Sequence, residues 1–288
     1  AFHGQAENGE NDIAAVFTQA GQVAAVGDFI DQNIFLGDID PEGKVAINNF
    51  YHEVAFHGKL SSGRRVVFIS DGETTQVAIF AGKVFNDGIE ITEITESGGV
   101  AINDFAEVSF HGRTEGLRAV FTQNGLVAKV GTDLPDNTVL DDINENGGVA
   151  INAVGEVAFH GQIGDVKAVF ISDGVTTQVV AKVGDKLDDG TLLEDIEVSG
   201  GVAINLFGEV AFHGRTGGLR AVFTQNGLVA REASNLPDST TLDEINDNAG
   251  VAINPYGYDV AFHGRIGTTD AVFVGQAPVA NGEETSDE

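Results

Sequence analysis

The sequence predicts an all-β protein: a propeller-like toroid of six four-stranded antiparallel blades, the first of which lacks its opening strand. Three observations predict it. The tetrad Val-Ala-Ile-Asn begins at Val45, Val100, Val149, Val202 and Val251. A segment Ala/Ser-Phe-His-Gly sets histidines at His3, His57, His111, His160, His213 and His263. A Val-Phe pair follows each, ending at Phe17, Phe68, Phe121, Phe170, Phe223 and Phe273. A period of roughly 50 residues with four strand-like runs is the arithmetic of a propeller blade; a β-solenoid or linear array, with shorter coils, is the alternative.

The elements of one unit follow in order. The tetrad is the first strand, the Val-Ala-Phe-His-Gly run the second, Ala-Val-Phe-Thr/Ile the third, and Leu-Val-Ala-Lys-Val or its equivalent the fourth. Between first and second lies Asn-x-x-Gly, as in Asn152 to Gly155, where Asn closes a turn on the backbone and Gly takes the left-handed position. Ala106 replaces that Gly in the third copy, and the second and sixth copies insert one residue (Tyr51-His52, Gly257-Tyr258). Asn124-Gly125, Asn226-Gly227, Asp71-Gly72 and Asp173-Gly174 suit tight turns between third and fourth strands. A polar connection and a Thr-Leu-Asp-Asp-Ile segment lead to the next tetrad, with Leu and Ile expected in the core. The expected repeats are 1–44, 45–99, 100–148, 149–201, 202–250 and 251–280 in one domain, with Ala277 to Ala280 as the last strand and 281–288 an acidic tail.

Composition supports this and narrows function. Apolar residues form 42% of the 288-residue chain, enough for a large core, and 38 Gly against 5 Pro point to many tight turns. A net charge of −29 repels nucleic-acid phosphates and anionic membranes, so neither is an expected partner. No run is apolar for long enough to form a membrane-spanning helix. There is no Cys, hence no disulfide and no thiolate metal site. Beginning at Ala1 inside a motif and carrying no Met, the chain reads as processed or partly represented.

The stretch Asn152-Ala153-Val154-Gly155-Glu156-Val157-Ala158-Phe159 resembles the motif of the bacterial NxxGxxxAF tandem-repeat proteins, a group with varied anchoring segments, and Asn205 to Phe212 matches equally. The resemblance covers essentially the whole chain. It implies a secreted or surface-exposed bacterial protein and assigns no reaction. The tail Gly282 to Glu288 carries no anchor.

Two sets of residues invite a functional reading. Six equivalent histidines could form a metal-binding ring, but His57 lies beside Ala55 and opposite Val54 and Phe56, which favours a blade-to-blade position with a neutral ring bonded to backbone. Oxygen side chains on alternate residues precede the tetrads: Asp142, Asn144 and Asn146, then Glu244, Asn246 and Asn248. Asp38, Asp40 and Glu42, Glu93, Thr95 and Ser97, and Asp195, Glu197 and Ser199 repeat the pattern. This is the start of a calcium loop without its closing bidentate Glu; the competing reading is polar turn residues on an acidic surface. Lys59, Arg113, Arg215 and Arg265 are placed to pair with these carboxylates between blades. No nucleophile elbow or phosphate loop is present.

The expectation is therefore a secreted, non-enzymatic structural or interaction protein of the cell surface or extracellular matrix. The strand missing from the first repeat leaves an edge that upstream residues or another copy would complete, giving self-assembly into an oligomer or filament. The alternative is a lectin-like propeller, with or without calcium, for surface glycans; the absence of Trp and the presence of only 3 Tyr count against it.

Overall fold

A computed structural model describes residues 1–8, 11–31, 34–41, 43–95 and 97–278. Among them there is no helix, and the strands form six antiparallel sheets in chain order, the blades. Period-2 alternation of β-branched and aromatic residues makes these strands, and in blades two to five the neighbouring blades cover both faces. In the third blade the central strand is Val108–Thr114, paired on one side with Leu117–Thr122 and through it with Gly125–Lys129. Among the described residues the first blade has three strands, Phe2–Asn8, Asn11–Thr18 and Gly21–Ala25, and no inner one, in line with the sequence reading.

The inner strand itself is made of two pieces. Val100–Ile102 pairs with the first half of Val108–Thr114, and Glu93–Ile94, from the approach to the tetrad, pairs with its second half. In the fifth blade both pieces fuse into Asp195–Ile204 with a register shift between Glu197 and Val202. Each approach thus belongs to the sheet of the blade that follows it, so blade boundaries fall before the repeat boundaries drawn at the tetrads. The expected burial of its apolar residues is seen: Leu140, Ile143, Ile196 and Ile245 are fully buried or nearly so.

Three further differences from expectation have local causes. Gly72 and Gly174 are left-handed, but in the third blade Gln123 and Asn124 form the turn and Gly125 is already paired with Thr122, whose hydroxyl accepts the Asn124 N–H. The second blade adds the hairpin Phe29–Asp31 and Ile34–Ile39. In the sixth blade Ala277 and Pro278 are outside any strand, and Val279 and Ala280 lie beyond the described residues, as does the acidic tail.

One packing rule joins the blades. Ala55, Val67 and Ile69 of the second blade lie against Ile91, Ile94, Val100, Phe110 and Phe121 of the third. The alanine-valine face of each blade meets the phenylalanine face of the next, in five such clusters. Within each blade the two phenylalanines stack, as Phe159 does on Phe170 at 5.5 Å. No cluster joins the sixth blade to the first among the described residues, so the toroid is open at one seam. There Val272 and Val274 are 62% and 68% exposed, whereas Val67, Val120, Val169 and Val222 are 0%.

Candidate functional site

The inner strands of blades two to six meet around a hollow of about 150 Å³, which favours a toroid over a linear array. Its wall carries Ile47, Ile102, Ile151, Ile204 and Ile253, and its lining includes the tetrad residues Asn48, Asn103 and Asn152. Asn152 shows why asparagine stands there. Its Oδ1 accepts from the N–H groups of Val154 and Glu156 at 3.1 and 2.9 Å, which shapes the turn. Its Nδ2 donates to the Glu156 carboxylate at 2.7 Å and to the Asn205 carbonyl of the next blade at 3.0 Å. Asn103 donates likewise to the Asn152 carbonyl, and Asn205 to that of Gly257. All four bonding positions of the Asn152 amide are thus used, three within its own turn and one as a tie to the next blade.

That turn lifts an apolar side chain into solvent two residues after each asparagine. Phe50, Phe105, Val154, Phe207 and Tyr256 are 59% to 75% exposed, and the residues just before them, Asn49, Asp104, Ala153, Leu206 and Pro255, line the hollow, so with Tyr51 they stand as a crown on the turns at that end. Sequence reasoning missed it, although an aromatic or valine recurring inside a polar turn was a visible signal. At the other end of the inner strands stands Lys44, where the next three copies have Gly99, Gly148 and Gly201. Its side chain reaches across the bore: a Cβ at Gly99 would come within 2.8 Å of its own Cβ, and Cβ atoms at Gly148 and Gly201 would lie 3.7 and 3.8 Å from its Nζ. Water in the bore reaches the side chain, yet the surrounding protein pushes the ammonium pKa down by desolvation.

The histidines are placed between blades. Nε2 of His111 contacts the Gly148 carbonyl of the next blade at 3.3 Å, whereas Nδ1 of His160 contacts the Gly147 carbonyl in the approach of its own blade at 3.2 Å. Burial lowers the pKa of His111, His160 and His213 to about 4, so these rings are neutral near pH 7. His263, on the open face, is exposed. Among the described residues no group of three or more His, Asp and Glu side chains is placed to hold a metal.

The acidic approaches face guanidinium groups. Asp142 lies 2.8 Å from Arg118, which also reaches Glu145 at 3.0 Å, and Arg113 reaches Glu145 at 2.9 Å. The Asn144 Oδ1 accepts the Asn146 N–H at 3.1 Å. Around Glu244, Asn246 and Asn248 the pattern repeats: Glu244 lies 2.8 Å from Arg265 and 3.4 Å from Arg220, and Asn246 accepts the Asn248 N–H. Glu42 of the second copy lies outside the described residues. Of the expected cations, Arg113 and Arg215 reach the following blade, whereas Lys59 pairs with Asp38 of its own blade and Arg265 with Glu244 and Asp270 of its own. Sequence reasoning missed the more regular set on the third strand: Arg65, Arg118, Lys167 and Arg220 each pair with an acid of the next blade's approach.

No family model matches the chain, and no curated protein does either. Among solved structures, a protein from Lactobacillus plantarum is 13% identical with a TM-score of 0.39, covering 96% of this chain and 77% of its own. The six-bladed fucose lectin of Aleuria aurantia is 10% identical at 0.38, covering 94% and 89%. The aldose sugar dehydrogenase of Streptomyces coelicolor is 12% identical at 0.37, covering 92% and 87%. Likeness this slight says nothing of a ligand or a reaction.

Proposed function

We propose that this chain is a non-enzymatic structural or interaction protein of the bacterial surface or extracellular matrix, and that it associates with copies of itself. The observation that carries the reading is how the repeated polar residues are used. Asn103, Asn152 and Asn205, the His111 ring, and the acids and bases of the approaches are occupied in turns and in ties between blades. Repetition here serves the scaffold, and catalysis on a repeat scaffold depends on departures from it. The free edge of Phe2–Asn8 offers a place for strand complementation. Size-exclusion chromatography with light scattering, followed by electron microscopy, tests the reading. Oligomers or filaments are expected; monomers at every concentration would refute self-association.

A second reading is favoured by the crown. Exposed Phe50, Tyr51, Phe105, Phe207 and Tyr256 on the turns at one end offer ring faces of the kind sugars stack on. A glycan array with and without calcium separates the two readings. Binding that is lost in Phe105→Ser and Phe207→Ser would establish the lectin-like function.

A further inference from the structure

The open seam has two sides, and each is half of an interface that the chain already forms five times. On the sixth blade the face bears Ala261, His263, Val272 and Val274, the counterparts of residues buried in the blades before it. On the first blade, Phe2 stacks on Phe17 at 5.7 Å and is 55% exposed. Its counterparts Phe56, Phe110, Phe159 and Phe212 are 0% exposed, each covered by the face of the preceding blade. Two apolar faces of complementary kind thus stand in solvent on one molecule, and five internal examples show what covers each.

The charges agree. Internal faces carry Arg65, Arg118, Lys167 or Arg220 opposite the acidic approach of the next blade. On the open face the equivalent residue is Asp270, which would repel such an approach. Among the described residues the first blade has no such approach for Asp270 to oppose.

From this we infer that the sixth-blade face of one molecule docks on the first-blade phenylalanine face of a second copy, rebuilding the blade-to-blade interface between molecules. The contact is heterologous: each copy keeps one free face of each kind, and growth continues unless the rotation closes a ring. This deepens the self-association proposed above and depends on it.

The test uses the whole chain. Val274→Asp and, separately, Phe2→Asp place a carboxylate on either side of the seam at exposed positions, where circular dichroism melting is expected to stay unchanged. Sedimentation velocity should show self-association weakened at least about tenfold by either change, because a carboxylate without a partner is costly to bury. With no native cysteine to interfere, a Phe2→Cys/Val274→Cys double variant treated with a short bis-maleimide should give a ladder of covalent multimers. Association that persists in both aspartate variants would overturn the seam assignment while leaving self-association intact. A cross-link closing only within single chains would overturn it in favour of a closed monomer. Monomers of the unmodified chain at every concentration would remove both this inference and the reading it depends on.

Discussion

Asn152 joins a turn to a neighbouring blade through one side-chain amide, so its replacement has two costs. Asn152→Ala leaves the Asn205 carbonyl and the Val154 and Glu156 N–H groups without this partner. A loss of about 3 kcal/mol is expected in urea unfolding, from net values of about 1 kcal/mol for each of these three bonds. Ala106 is the opposite case. It holds the left-handed φ of +60° where Gly155 and Gly208 hold +88° and +75°. Ala106→Gly should therefore stabilise by about 1 kcal/mol, read as a raised urea midpoint. The histidines set an acid limit. With folded pKa values of about 4 for His111, His160 and His213, and an unfolded value of about 6.5, protonation favours the unfolded chain. Their stability is fully present above pH 6.5 and is lost as pH falls from there to about 4. The effect is on the order of 3 kcal/mol for each ring. Unfolding midpoints at pH 7 and pH 5 should diverge, and His160→Gln should narrow the difference.

At the level of the element, the histidine is followed by glycine because two strands and a ring converge there. A Cβ on Gly112 would meet the Glu93 carbonyl at 2.6 Å and the Phe121 ring at 3.3 Å. Gly112→Ala should cost about 1–3 kcal/mol by overpacking, with a thermal melt as the check. These elements also show how far the sequence could be read. Strand order, the missing inner strand and the placing of histidines between blades followed from periodicity, because a two-residue alternation assigns each side chain to a face. The division of the inner strand did not. Glu93–Ile94 and Val100–Ile102 are two and three residues long, too short for a periodic signal, and they become strands only because Val108–Thr114 pairs with both. The crown was missed for a different reason: Phe105 and Phe207 are apolar residues in turns, which a core-seeking pattern does not expect outside. The third-strand cations were hidden because their partners lie about 25 residues onward, a distance only the blade geometry spans.

For the whole molecule, charge opposes the association that the apolar faces favour. Copies carrying −29 each repel one another, and that repulsion extends about 10 Å at 0.1 M salt and less as salt rises. Raising monovalent salt should therefore increase the weight-average mass in sedimentation, whereas an assembly held by ion pairs would dissociate. The Lys44 ammonium stands among the glycines of three other blades in a negative body, and it gives a nearly repetitive toroid one distinguishable direction.

The open seam also has a mechanical meaning. A closed ring shares a load between two arcs, but an arc with free ends carries it in series, through five interfaces of similar construction. Pulled from its first and last blades, the molecule would yield at whichever interface is weakest, while the sheets within each blade stayed whole. Stretch would then come in blade-sized steps and be recovered by re-docking, so the same break in symmetry that leaves two faces free makes the chain a spring.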